Sequence, residues 1–140
     1  MATPPTFSHV VFMTRRFEEM KAWYINVFGW HPVHDEDNIC FFKLNGLILA
    51  LYPADALAED IGVSHDGKGF KRFALSMNLR SEEEVANVMQ SLEAKGARII
   101  CPPEKVFWGG YRGYIADPEQ NYWEFAYNPF MPLDDAGNIA

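Results

Sequence analysis

Between Ser81 and Gly96 the apolar residues Val85, Val88, Met89 and Leu92 fall at i, i+3, i+4 and i+7, which is one stripe of a helix with 3.6 residues per turn. Ser81 precedes them with Glu84 three positions on, the pairing that satisfies two orphaned backbone donors at a helix start. Lys95 and Gly96 supply the favourable charge and the left-handed stop of a helix end. The pattern predicts a helix over about Glu82 to Lys95. An earlier helix is predicted from Phe17, Met20, Tyr24, Val27 and Phe28, with Thr14 as its cap, Glu18 and Glu19 in its first turn and Gly29 at its end.

Elsewhere the period is two. From Arg72 to Leu79 the residues Phe73, Leu75, Met77 and Leu79 share one face, and Arg72, Ala74, Ser76 and Asn78 share the other. The segment Tyr122–Tyr127 alternates in the same way, with Trp123, Phe125 and Tyr127 opposed to Tyr122, Glu124 and Ala126, after a type I turn signalled by Asp117-Pro118. Further strands are predicted over Phe7–Met13, Ile39–Leu44 and Leu47–Tyr52, the last two joined at Asn45-Gly46. The order repeats: strand, helix, hairpin up to Pro53, then strand, helix, hairpin up to Pro129. This reads as an α+β chain of two βαβββ modules, about residues 6–53 and 70–129. The glycine-bearing segment Ala54–Gly69 connects them, and a tail over 130–140 is expected to fray. Helices cover one sheet face, and the face bearing small and polar residues is left to line a cleft.

At 140 residues with 49% hydrophobic content, the chain fills one domain. Its formal charge is -7 and its 12 basic residues are scattered, which argues against nucleic acid, since phosphate binding needs a basic patch. The longest apolar run, Leu47–Tyr52, is far short of the roughly 20 residues that span a bilayer. Met1–Pro5 lacks the charged start and apolar stretch of a secretory leader. Cys40 and Cys101 have no paired spacing and read as reduced thiols, so a cytoplasmic protein is expected. Aromatic residues make up 15% of the chain, enough to build a core and also wall a ligand pocket.

The opening Phe7-Ser8-His9-Val10-Val11-Phe12 and Trp23-Tyr24-Ile25-Asn26-Val27-Phe28-Gly29-Trp30 resemble the start of vicinal oxygen chelate proteins, the glyoxalase, bleomycin-resistance and extradiol-dioxygenase superfamily. The run Asp117-Pro118-Glu119-Gln120-Asn121-Tyr122-Trp123-Glu124 is similar to a second hallmark, Asp-Pro-Asp-Gly-Asn followed by an aromatic and a glutamate. The resemblance covers about residues 6 to 129. It implies a curled mixed sheet with a cleft and helices on the outer face. In metal-dependent members it implies a divalent ion held by the first and last strands of each module. Those positions fall here at His9, Ala50, Arg72 and Glu124. An alanine has no donor atom and a guanidinium repels a cation, so a divalent metal is not favoured; His9 and Glu124 remain as its two candidate ligands. No other cofactor is indicated.

The candidate site residues are therefore Glu124 and His9 for proton transfer, with Arg72, Trp108, Tyr111, Arg112 and Tyr114 as ligand contacts. Arg72 and Glu124 are expected to form an ion pair where the metal stands in relatives. For each residue a plainer role stays open: His9 as a hydrogen-bonded core residue, Glu124 as a solvated charge, and the Trp108–Tyr114 stretch as a bulged strand. In His31-Pro32-Val33-His34 an extended strand would put the two rings on opposite faces, so the segment through Asp37 reads as a solvated strand end and turn, and neither cysteine has an activating base. The leading expectation is a protein that binds a small organic molecule, with catalysis next to a carbonyl as an option. Its rivals are a metal-dependent glyoxalase or dioxygenase and a drug-sequestering binder. A homodimer is expected by analogy with relatives of this length.

Overall fold

The computed structural model describes Pro5 and residues 7–140; Met1–Pro4, part of the segment read above for a leader, lies outside the described residues. Strands β1 (His9–Thr14), β2 (His34–Glu36), β3 (Ile39–Lys43) and β4 (Ile48–Pro53) form one four-stranded sheet in the order β1-β4-β3-β2. Strands β5 (Leu75–Leu79), β6 (Arg98–Lys105), β7 (Tyr111–Ala116) and β8 (Tyr122–Tyr127) form the second in the order β5-β8-β7-β6. In each sheet the first and last strands pair in parallel and the rest antiparallel. Two such mixed sheets, curled but not closed, with helices on one side make the α+β class that the alternation implied.

Helix α1 (Phe17–Trp23) widens into a π-helical turn over Tyr24–Phe28. Thr14 does not cap it, contrary to expectation. Arg16 holds the N-cap position, and the Thr14 hydroxyl donates to Glu119 while accepting the Arg16 amide at 3.2 Å. The threonine thus ties the end of β1 to the turn before β8. Helix α3 (Glu82–Ala94) is the clearest match: Ser81 accepts the Glu84 amide at 3.0 Å, and Glu84 accepts the Arg80 amide at 3.0 Å. A third helix, α2 (Ala54–Ile61), occupies the first half of the expected connector, with Ala54 and Ala58 buried against the sheet. Alanines carry too little apolar contrast to reveal such a helix by periodicity.

Strand β5 begins three residues later than the alternation suggested. Arg72 has φ +69, a left-handed backbone that no strand residue adopts. The tail also departs from expectation. Leu133 pairs with Ile139, Asn138 is hydrogen-bonded by the Asn45 amide, and Arg80 donates to the Asp134 carbonyl at 2.6 Å. These bonds tie the exposed tail to the β3–β4 turn and to the residue that follows β5.

A single apolar cluster joins the halves. Phe12, Met20, Tyr24, Phe42, Leu49 and Leu51 from the first half pack with Val85, Met89, Ile115, Trp123 and Phe125 from the second. Phe28 meets Trp123 and Phe125 with ring centres 5.3 and 6.2 Å apart. At the centre of this seam, Asp117 is 3% exposed and its carboxylate is fully engaged. It accepts the Tyr24 hydroxyl at 2.6 Å, the Asn121 side-chain amide at 2.8 Å and the backbone amides of Glu119 and Asn121 at 2.9 Å each. The Trp123 indole donates to the same Tyr24 oxygen at 3.0 Å. A buried carboxylate is tolerated only when its oxygens are satisfied in this way.

Candidate functional site

Alternation places side chains on the sheet face away from the helices. In β7, Gly113 and Ile115 are buried toward the core, so Arg112 and Tyr114 point to the opposite face. In β8, Trp123 and Phe125 are buried in the core, which turns Glu124 the same way as Tyr114. The register completes the arrangement: Ser76 of β5 and Tyr114 of β7 both stand directly opposite Glu124. Cross-strand neighbours lie within side-chain reach, and the Ser76 hydroxyl donates to the Glu124 carboxylate at 2.8 Å.

Tyr114 has its pKa raised, first by burial and then by the adjacent Glu124 carboxylate. Its phenol therefore stays protonated and a donor well past neutral pH. The Arg112 guanidinium lies 5.8 Å from the centre of the Tyr114 ring, and its Nη1 is 3.4 Å from Glu104. One patch of sheet thus presents a carboxylate, a phenol and a guanidinium together.

The first sheet offers a different surface. His9 is exposed, with its Nδ1 2.6 Å from the Ser8 hydroxyl and its ring 5.5 Å from that of Phe41. Ala50 stands opposite Phe41 in β3 and opposite Val11 in β1. Among the described residues no hydrogen bond or ion pair connects His9 with Glu124.

Arg72 is exposed ahead of β5, and the expected Arg72–Glu124 ion pair does not form among the described residues. Its left-handed backbone takes it out of the alternation on which the pairing was argued. Trp108 sits in the turn between β6 and β7 with its indole over Gly110, where a Cβ would collide with the ring. Tyr111 opposite Tyr127 packs against the apolar cluster. Of the candidate contacts, the fold groups Arg112 and Tyr114 with Glu124; Trp108 and Tyr111 lie toward the far end of β7. Ser76 was not singled out, although the alternation already put it on the polar face.

The donor set does not fit a divalent ion at the positions that the resemblance implied. Ala50 offers a methyl group, Arg72 a cation outside the strand, and one Glu124 oxygen is engaged by Ser76. Among the described residues no group of three His, Cys, Asp or Glu side chains could hold a metal, and three protein ligands are usual in catalytic sites.

Comparison with known proteins agrees with this architecture. A crystal structure of a glyoxalase-related enzyme from Fulvimarina pelagi is 34% identical, superposes with a TM-score of 0.88, and covers 98% of both chains. Biphenyl-2,3-diol 1,2-dioxygenase 2 of Rhodococcus globerulus is 27% identical over 97% of this chain and 70% of its own length. A lactoylglutathione lyase structure from Agrobacterium tumefaciens, 20% identical with a TM-score of 0.71 over 90% of this chain and 96% of its own, shares the fold. The family model described as Glyoxalase/Bleomycin resistance protein/Dioxygenase superfamily matches residues 6–125. With that match running from the first strand into the last, the chain belongs to the glyoxalase/bleomycin resistance/dioxygenase superfamily.

Proposed function

We propose that this protein binds a small carbonyl-bearing organic molecule on the open face of the second sheet and moves a proton on it, with Glu124 as the base. The observation that carries this reading is the grouping of Glu124, Tyr114 and Arg112, with Ser76 holding the carboxylate in place. A carboxylate accepts a proton from the carbon next to a carbonyl while the electron pair moves onto the carbonyl oxygen. Tyr114 as a neutral donor and Arg112 as a permanent cation suit the charge that develops there. Return of a proton to the same carbon completes an exchange without a redox partner; where that carbon carries a hydroxyl, the enediol can instead take the proton on the former carbonyl carbon as the hydroxyl proton passes to the other oxygen, which is an isomerisation. His9 is the second candidate group, on the other sheet. The two free cysteines support a reducing, cytoplasmic setting, and we include a homodimer in the proposal.

The test is a panel of 2-oxo acids and aryl ketones screened by thermal shift, since a bound ligand raises the melting point by mass action. Hits are then followed by proton NMR in deuterated water. Glu124→Gln is expected to slow exchange of the proton next to the carbonyl about 10²–10⁴-fold, the usual contribution of a general base, with the melting point kept. Exchange unaffected by this change would overturn the reading. Stoichiometric metal that is lost in His9→Ala would replace it with the metalloenzyme. Light scattering at the monomer mass would remove the dimer.

A further inference from the structure

One hollow in the structure is lined by residues other than Glu124. It has a volume of about 690 Å³ and is lined by residues of β1, β3, β4, β5 and β8 together with the tail. Pockets that hold small organic ligands typically span about 300–1,000 Å³. All five residues of β5 line it, so it runs about 13 Å along that strand at ~3.3 Å per residue.

Its walls come largely from the core-facing sides of the strands: Val10, Leu49, Leu75, Met77, Leu79 and Trp123. Lys43 at its rim is the one charged side chain among the described lining residues, and it makes no ion pair among them. Beside it the Asn45 amide holds Asn138 of the tail hairpin, so residues 136–139 form one wall.

We propose that this hollow is a binding site for an extended amphiphilic carboxylate, a single apolar chain ending in an anion. An apolar channel sheds water when such a chain fills it, and a lone cation in its lining specifies a negative head group, with the neighbouring asparagine amides as further donors. In a protein of net charge -7, general attraction does not draw anions to the surface, so binding there depends on this local cation. The hollow shares Ser76 with the Glu124 patch, but Glu124, Tyr114 and Arg112 are not among its lining residues.

The probe is 11-(dansylamino)undecanoic acid, read by energy transfer from Trp30 and Trp123, both of which line the hollow, and displaced by decanoate. Lys43→Glu alters an exposed side chain, so the fold is kept; it is expected to weaken the probe at least tenfold, the scale of a lost charge-assisted hydrogen bond. Met77→Trp, which fills the channel, is expected to abolish transfer. Phe107→Ala removes the most exposed aromatic, at the β6–β7 turn, and is expected to change nothing. Equal displacement by decanol and decanoate, or loss of binding in Phe107→Ala but not in Lys43→Glu, would overturn the proposal. Displacement by an uncharged alternating valine peptide but not by decanoate would overturn it too, in favour of strand addition to the free edge of β5.

Discussion

Tyr24→Phe deletes a single oxygen from a side chain with no exposed surface, and that oxygen serves both halves of the molecule. In the native protein it donates to Asp117 at 2.6 Å and accepts from the Trp123 indole at 3.0 Å. After the change Asp117 keeps three donors, from Asn121 and from the backbone of Glu119 and Asn121, but loses its shortest one. The Trp123 N–H, in a residue only 2% exposed, is left without a partner. A hydrogen bond to a charged group contributes about 1.5–3 kcal/mol, and a stranded buried donor costs about 1–3 kcal/mol. Removing the buried hydroxyl's own desolvation offsets part of this, leaving an expected loss of ~3 kcal/mol. For 140 residues the unfolding entropy is roughly 0.3 kcal/mol/K, so the melting point is expected to fall by about 10 °C.

The pH dependence adds an independent check. Burial, and then the Asp117 charge, raise the Tyr24 pKa well above that of a free tyrosine. A raised folded-state pKa means that the stabilisation is complete below about pH 10, where both states hold the proton. It is lost as pH rises from there through the folded value, because the unfolded state ionises first, at up to ~1.4 kcal/mol per pH unit. The difference in stability between native protein and Tyr24→Phe should therefore shrink above pH 10. Urea unfolding from pH 7 to 11, with Tyr122→Phe on the partly exposed strand end as the control, measures both effects. A loss under about 1 kcal/mol at pH 7, or a difference independent of pH above 10, would refute this role of the Tyr24 hydroxyl.

Gly113→Ala would drive a Cβ into the Met89 thioether and to 2.9 Å from the Cys101 carbonyl; overpacking against backbone is expected to cost about 1–3 kcal/mol by denaturant unfolding. Gly110→Ala meets only the Trp108 indole, 36% exposed and free to swing outward, so it is expected to cost clearly less. Cys40 is buried and its pKa is pushed up to about 11 by desolvation, so at pH 8 a disulfide reagent should titrate Cys101 alone until denaturant is added.

How much of this was legible in the chain depends on the range of each interaction. Helix α3 was readable because its cap, its stripe and its stop all lie within the 16 residues from Ser81 to Gly96. The alternation of Tyr122–Tyr127 was enough to turn Glu124 away from the core, since side chains in a strand necessarily alternate. The start of β5 is not readable: an arginine with left-handed backbone carries no local signature, so alternation alone carries the strand back to Arg72 and points it at a glutamate that it does not meet. Helix α2 escaped because alanines give almost no periodic contrast.

What the sequence determined by itself was the α+β class, the repeated order of elements and the faces of the strands, all of which follow from spacing along one segment of chain. What only the tertiary structure decided was which side chains share a surface. Ser76 and Glu124 are 48 positions apart, and Tyr24 and Asp117 are 93 apart; each pair exists because strand register or helix docking closes a long loop. The cost of closing such a loop grows only slowly with its length, so the sequence carries no local penalty or signal that marks the partner. Packing of apolar faces selects the pairs, and with them the grouping of Glu124, Tyr114 and Arg112 and the hollow beside β5.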